Sequence, residues 1–304
     1  MKTKRTMAGI LAVAMAASAM AWTPVFAAGE IGVSAEKVSA KIGQEFTLQV
    51  SLSDVPASGL GGCEFSLAYD STIVTVTNVQ AGAITETGAD EQSSAFAGEA
   101  PSFDCNYETA GVIDVIWATG LTDSTYWVKQ DGVFLTITGT VNESAKVGDV
   151  SEFKIQAIDR EVTPGSGTKN DKVTFVSLDA NGDVTSYDTV LSDGSVTVIG
   201  DDVTTTTTTA TTTNKPDVTT TTVTTVSGGE DRIAYGDTNL DGVVDLRDAI
   251  SMNKYLAGLI TWTSDDQAYK NADVNADGSV KEDDGTILVN FVINLISELP
   301  QIGA

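Results

Sequence analysis

"GDTNLDGVVDLRD", residues 236–248, sets Asp237, Asn239 and Asp241 two apart, follows them with Gly242 and closes on Asp248. "ADVNADGSVKEDD", residues 272–284, repeats the beat with Asp273, Asn275, Asp277, Gly278 and Asp284, 36 residues further on. A fixed offset marks an internal duplication. Oxygen ligands at positions 1, 3, 5 and 12 of a twelve-residue loop wrap one calcium ion, position 7 adds a carbonyl, and glycine at position 6 permits the sharp turn. The spacing predicts two Ca²⁺ ions. Asp237, Asn239, Asp241, Val243, Asp245 and Asp248 would hold the first, and Asp273, Asn275, Asp277, Ser279 and Asp284 the second. One such loop would equally suit an Asn/Asp/Gly surface turn; two in register favour the metal. Asp at position 12 reaches less far than the Glu of a standard EF-hand.

Each loop runs into a helical pattern. "DAISMNKYLAGLI" (248–260) and "DGTILVNFVINLI" (284–296) place Tyr255 with Phe291, Leu259 with Leu295 and Ile260 with Ile296. Asp248 and Asp284 stand at the helix starts, where a carboxylate meets the positive end of the dipole. No entering helix is expected, because "SGGEDRIAYG" precedes the first loop. Residues 231–304 therefore read as a small all-α module of two loop–helix repeats.

Residues 201–230, "DDVTTTTTTATTTNKPDVTTTTVTTVSGGE", bury no apolar surface and read as a disordered Thr-rich linker with O-glycosylation sites. Residues 28–200 read as an all-β sandwich. Short β-branched and aromatic runs at 46–55, 63–70, 112–120, 132–141, 151–158 and 194–200 are separated by Gly, Pro, Asp or Asn, and no 3.6-residue period persists. At the start, Lys2, Lys4 and Arg5 precede an apolar run over 7–21 and the small-residue site Val25-Phe26-Ala27, so residues 1–27 read as a signal peptide and the remainder as secreted.

With 17 basic and 42 acidic residues the chain carries a net charge of −25. Such a surface repels nucleic acid and anionic membranes and suits divalent cations. No stretch reaches the length of a membrane span. The absence of histidine removes Ser-His and Cys-His chemistry. Carboxylate pairs would suffice for glycoside hydrolysis, but most aromatics of the sandwich fall on core-facing positions, so no enzyme is expected.

Loop followed by exiting helix, twice, over residues 233–300, resembles the dockerin module of cellulosomes. "DVPASGLGGCEFSLAYDSTIVTV" (54–76) and "QDGVFLTITGTVNESAKVG" (130–148) are similar to cohesin strands. The resemblance implies a jelly-roll type, cohesin-like sandwich. Signal peptide, cohesin, Thr-rich linker and dockerin together resemble a small adaptor scaffoldin of ruminococcal cellulosomes. By that resemblance the cohesin receives dockerin-bearing enzymes and the dockerin enters a cohesin of another scaffoldin. The protein is then extracellular, associated with the cell surface through the complex, and calcium is structural. The alternative is a secreted carbohydrate-binding or adhesive sandwich carrying a calcium module.

Strand alternation sends Cys63, Phe65, Leu67 and Tyr69 inward, with Cys105, Tyr107, Ile113, Val115 and Trp117. Glu64, Ser66, Ala68, Asn106, Glu108, Asp114 and Ile116 point outward, on the sheet that binds dockerins in cohesins. In dockerins, loop positions 10 and 11 and the exposed side of the helices carry recognition. Here these are Leu246, Arg247, Asn253 and Lys254 in the first copy and Glu282, Asp283, Val289 and Asn290 in the second. The copies differ, so one binding orientation is expected. A cohesin that accepted its own dockerin would chain or close on itself, so the two modules are expected to take different partners and the protein to be a monomer alone. The secretory reading pairs Cys63 with Cys105 in a disulfide. Cohesin strand order instead puts the strand of Trp117 between them, at about twice the strand spacing, which favours free thiols.

Overall fold

The computed structural model describes residues 29–90, 102–121, 123–178, 184–200 and 233–302. The expected signal peptide and Thr-rich linker lie outside them.

Among the described residues, twelve strands make up the N-terminal part: β1 (Glu30–Ala35), β2 (Lys37–Lys41), β3 (Glu45–Ser53), β4 (Gly62–Ala68), β5 (Val74–Ala81), β6 (Phe103–Asn106), β7 (Val112–Ala118), β8 (Gly132–Val141), β9 (Val150–Gln156), β10 (Thr174–Leu178), β11 (Val184–Ser192) and β12 (Gly194–Ile199). Alternation builds them. In β3, Phe46, Leu48, Val50 and Leu52 are buried while the residues between them are exposed or half-buried. β3 pairs antiparallel with β8 and β1, and β8 with β5. On the other side of the core, β4 pairs with β7, which pairs with β6, and β9 links β4 to β12 and β2. β10 and β11 connect the two groups by pairing β4 to β1. Side chains from both groups meet in one core, where Phe46 of β3 packs edge-on to Phe153 of β9 and Phe65 of β4 tilts against Phe134 of β8.

β7 lies between β4 and β6, and both thiols are free. Cys63 is fully buried; Cys105 is only half-buried against the core.

The C-terminal part is helical: α1 (Leu246–Leu256), α2 (Gln267–Ala272) and α3 (Glu282–Val292). α1 and α3 start two residues earlier and stop four residues sooner than the apolar pattern suggests. Gly258 (φ 71°) and Asn294 (φ 56°), equivalent in the repeat, take the left-handed conformation just past the helix ends and terminate them. Asp245 caps α1 by accepting from Arg247 N at 2.8 Å, while Asp248 accepts from Asp245 N at 2.9 Å. The sequence pattern did not suggest α2. Among the described residues no helix is long and apolar enough to cross a membrane.

Candidate protein interface and metal loops

Pairing across β6, β7 and β4 gathers the outward residues into rows. Glu64 stands opposite Ile116, Gly62 opposite Ala118, and Asp114 between Ser66 and Asn106. Ala68 is half-buried at the strand end and Glu108 is exposed beyond β6, so these two lie at the margin.

This face is covered by the helical part of the same chain. Ile116, Ala118, Trp127, Ile158 and Val176 share an apolar cluster with Val244, Leu246, Ile250 and Ile293. Glycines make the approach possible. A Cβ on Gly62 would lie 2.5 Å from Leu246 Cδ1, and one on Gly120 would lie 2.8 Å from Asn253 Cβ and 2.9 Å from Lys254 N. Polar contacts surround the cluster. Leu246 N donates to Glu64 Oε2 at 3.1 Å, Asn106 Nδ2 to Ile293 O at 2.9 Å, and Asn294 Nδ2 to Asp114 Oδ2 at 2.9 Å. Thr163 Oγ1 donates to Gly242 O at 2.5 Å, Val244 N donates to Val162 O, and Arg160 Nη1 donates to Val244 O.

Burial raises the Glu64 carboxyl above its ordinary value, against the pull of the Arg160 guanidinium. Burial likewise raises Asp114, which Asn294 partly offsets. Arg160, Val162 and Thr163 were missed in the sequence, although Arg160 is the one arginine between residues 28 and 200.

The expected recognition residues divide. Leu246, Asn253 and Lys254 are buried in this contact. Arg247 turns back to its own loop, pairing with Asp241 at 2.8 Å and Asp245 at 2.6 Å. Glu282 and Asp283 are exposed and Asn290 is half-buried. Val289 is not displayed for recognition: it is buried, because its helix turns that side into the apolar cluster. The expectation that the sandwich would refuse its own C-terminal module also differs from the structure. With no side chain at Gly62 and Gly120, α1 fits against the face.

The two loops share a backbone. Leu240 and Ala276 have φ of 64° and 58°, and Gly242 and Gly278 of 84° and 89°, each pair one repeat apart. In the first, Asp237 accepts from Gly242 N, Asn239 from Asp241 N and Asp241 from Val243 N, while Asp248 Oδ1 takes Thr238 N and Asn239 N. In the second, Asp273 accepts from Gly278 N, Asn275 from Asp277 N and Asp277 from Ser279 N, and Asp284 takes Asn275 N. Asp245 is engaged by the α1 cap and Arg247, and Lys281 Nζ sits 2.8 Å from Asp277. Among the described residues no three carboxylate or thiol groups already converge as a metal cluster. The donors nevertheless fit calcium. They are all hard oxygens, Asp237 Oδ1 is buried without a hydrogen-bond partner, and burial holds the Asp248 carboxyl well above its ordinary value and Asp284 at about 6. A divalent cation would relieve each of these.

Residues 31–159 match the cohesin domain family, and residues 235–293 match the dockerin type I domain family. The chain joins a cohesin domain to a type I dockerin domain. It is 30% identical over 181 residues to cellulosomal-scaffolding protein A of Acetivibrio thermocellus, covering 57% of this chain and 9% of that protein. It is 28% identical over 129 residues to cellulosomal-scaffolding protein B of the same organism, covering 40% and 15%. The chain thus spans a small fraction of these curated relatives. Among solved structures, the seventh ScaB type I cohesin from Pseudobacteroides cellulosolvens is similar at 24% identity and a TM-score of 0.45, over 57% of this chain and 95% of that one. The covered face is therefore cohesin, and what covers it is dockerin.

Proposed function

We propose that the chain is a non-catalytic adaptor scaffoldin of a cellulosome. Its cohesin receives the dockerin of an enzyme or other protein, and its dockerin enters a cohesin on another scaffoldin. One observation carries this reading: the β4–β7 face takes α1 over Gly62 and Gly120, with Leu246 N donating to Glu64. The modules span 28–200 and 231–304, joined by the linker at 201–230. Residues 1–27 direct secretion, and the protein works outside the cell, held at its surface through the complex.

Calcium supplies structure only. Asp237, Asn239, Asp241, Val243 and Asp248 would hold one ion, and Asp273, Asn275, Asp277, Ser279 and Asp284 a second. Asp245 contributes as the α1 cap rather than as a direct ligand. Glu64, Ser66, Asn106, Asp114 and Ile116 form the receiving face, and Leu246, Asn253 and Lys254 lead the entering one.

The test is binding of the full chain to panels of dockerin-bearing enzymes and of scaffoldin cohesins, in calcium and in chelator. In calcium, the enzyme panel should bind through this chain's cohesin and the cohesin panel through its dockerin, and chelator should abolish both, because each pairing contains a dockerin. Retention on insoluble polysaccharide with no binding on either panel would replace the adaptor by a carbohydrate-binding sandwich.

A further inference from the structure

The dockerin of this chain covers the surface on which its own cohesin would receive a partner, and it does so with its own partner-binding residues. Leu246 lies against Gly62 and pairs through its N–H with Glu64, Asn253 and Lys254 lie over Gly120, and Asn294 holds Asp114. One contact therefore hides both sites. We propose that the chain rests closed on itself, and that a partner binding at either module exposes the other. The inference rests on the adaptor reading only in taking these two surfaces as the partner surfaces.

The fit is built on both sides of the contact. A Cβ at Gly120 would meet the α1 backbone at 2.9 Å, one at Gly62 would press on the ends of Leu246 and Ile250, and the atoms met at Gly120 all belong to the dockerin. Arg160 is buried between a cohesin carboxylate, Glu64, and a dockerin carbonyl, Val244 O. In a chain with net charge −25, this places a cation where two acidic modules meet, with Asn106 and Asn294 as neutral donors beside it.

Chain length allows closure. Residues 201–232 separate Gly200 from Ile233, and 32 residues reach up to about 100 Å. A tether of that order holds the modules at an effective concentration of about 1 mM. A self-affinity as weak as about 0.1 mM would then keep about nine molecules in ten closed. An outside dockerin must displace the inner one, and its apparent affinity falls by about tenfold. By linkage, once it is seated the released dockerin binds an outside cohesin better by the same factor. A loaded adaptor then enters a scaffold more readily than an empty one.

Two full-chain variants test this without any outside partner. Gly120→Leu blocks the cohesin face and frees the dockerin, whereas Leu246→Asp disables the dockerin and frees the cohesin, even if that dockerin unfolds. Mixed in calcium and followed by sedimentation, the two should form a 1:1 pair. Wild type should stay monomeric at concentrations well below the effective concentration of about 1 mM and bind either variant at least tenfold more weakly than they bind each other. X-ray scattering should give Gly120→Leu a radius of gyration at least a quarter larger than that of wild type. Ile116→Glu, on the cohesin surface, should open the chain in the same way if Gly120→Leu misfolds. Failure of the variants to pair, or equal radii for wild type and both open variants, would overturn closure. Wild-type oligomers growing with concentration would overturn it in favour of a second copy as the occupant. Neither failure touches the binding panels that test the adaptor reading.

Discussion

Arg160 Nη2 stands 2.8 Å from Glu64 Oε1, and the two side chains are 3% and 1% exposed. A charge pair this dry holds only while both members remain, because removing one strands the other, at about 3–5 kcal/mol. Both residues belong to the cohesin, and the dockerin completes their burial through Leu246 N and Val244 O. Arg160→Ala should therefore act on docking rather than on folding, since undocking lets water reach Glu64. Docking is expected to weaken by a hundredfold or more with little change in the melting of the sandwich. Glu64→Gln keeps an acceptor for Leu246 N and should weaken docking less. Calorimetric melting beside a scattering radius separates the two effects. A large drop in the sandwich melting temperature for Arg160→Ala would show that the pair serves the fold instead.

Calcium removal should unfold the dockerin and release the face it covers. The contact uses Gly242 O, Val244 and Leu246, all within or beside the first loop, so the geometry of that loop sets the docking surface. Chelator should lower the helical circular dichroism and enlarge the radius together, and calcium should restore both. Titration calorimetry on the full chain should count two ions, falling to one in Asp237→Ala or Asp273→Ala. Asp237→Ala should open the chain more than Asp273→Ala, because among the described residues the loop hydrogen bonds to the cohesin come from the first loop. Equal opening by the two substitutions would remove that distinction.

The thiols should be slow to react. Burial first, and then the Asp104 charge, push Cys105 up to about 11, and burial pushes Cys63 well above its ordinary value. A raised thiol pKa means little thiolate near neutrality, and the thiolate is the nucleophile. Alkylation of Cys105 should therefore be slow at pH 8 and accelerate with each step toward pH 11, while Cys63 waits for unfolding. Mass spectrometry should count two added groups after denaturation without reductant. No added groups would mean a disulfide, against the strand order that sets β7 between the two cysteines.

The shared backbone of the two loops was legible because residue spacing is a local property of the chain, repeated at a constant offset. The outward set on β4, β6 and β7 was legible because alternation has a period of two. Six strands stood out through β-branched and aromatic runs. β10 and β11 did not: every residue of Val184–Ser192 is exposed or half-buried, so apolar alternation never marks it. Arg160 belongs to a loop after β9 and reaches Glu64 only through the tertiary fold, although a lone arginine in an acidic sandwich is a signal in its own right. Helix ends were overestimated because apolar residues continue past the point where Gly258 and Asn294 turn the backbone. That the two modules meet could not be read from either alone, since it depends on two missing side chains, at Gly62 and Gly120.

Docking should use the first copy of the repeat and not the second. A half-turn about the axis of the duplication would bring Glu282 to the place of Leu246 and Thr286 to the place of Ile250. Leu246 and Ile250 are buried in the cluster with Ile116 and Val176, whereas Glu282 and Thr286 are exposed. Placing Glu282 against Gly62 would set a carboxylate beside Glu64, whose own cation, Arg160, is already paired. A desolvated like-charge contact costs several kcal/mol, enough to leave the flipped pose scarcely populated. Leu246→Ala should therefore weaken docking about tenfold or more, by roughly 1.5–3 kcal/mol of lost burial, while Glu282→Ala changes it little. The sharper measurement exchanges the sequences. Leu246→Glu with Glu282→Leu, and Ile250→Thr with Thr286→Ile, moves the apolar pair to the second copy. The fourfold variant should recover closure in the flipped pose where Leu246→Glu alone has lost it, as read from the scattering radius. If Leu246→Ala and Glu282→Ala are each tolerated and only their combination opens the chain, both orientations are in use.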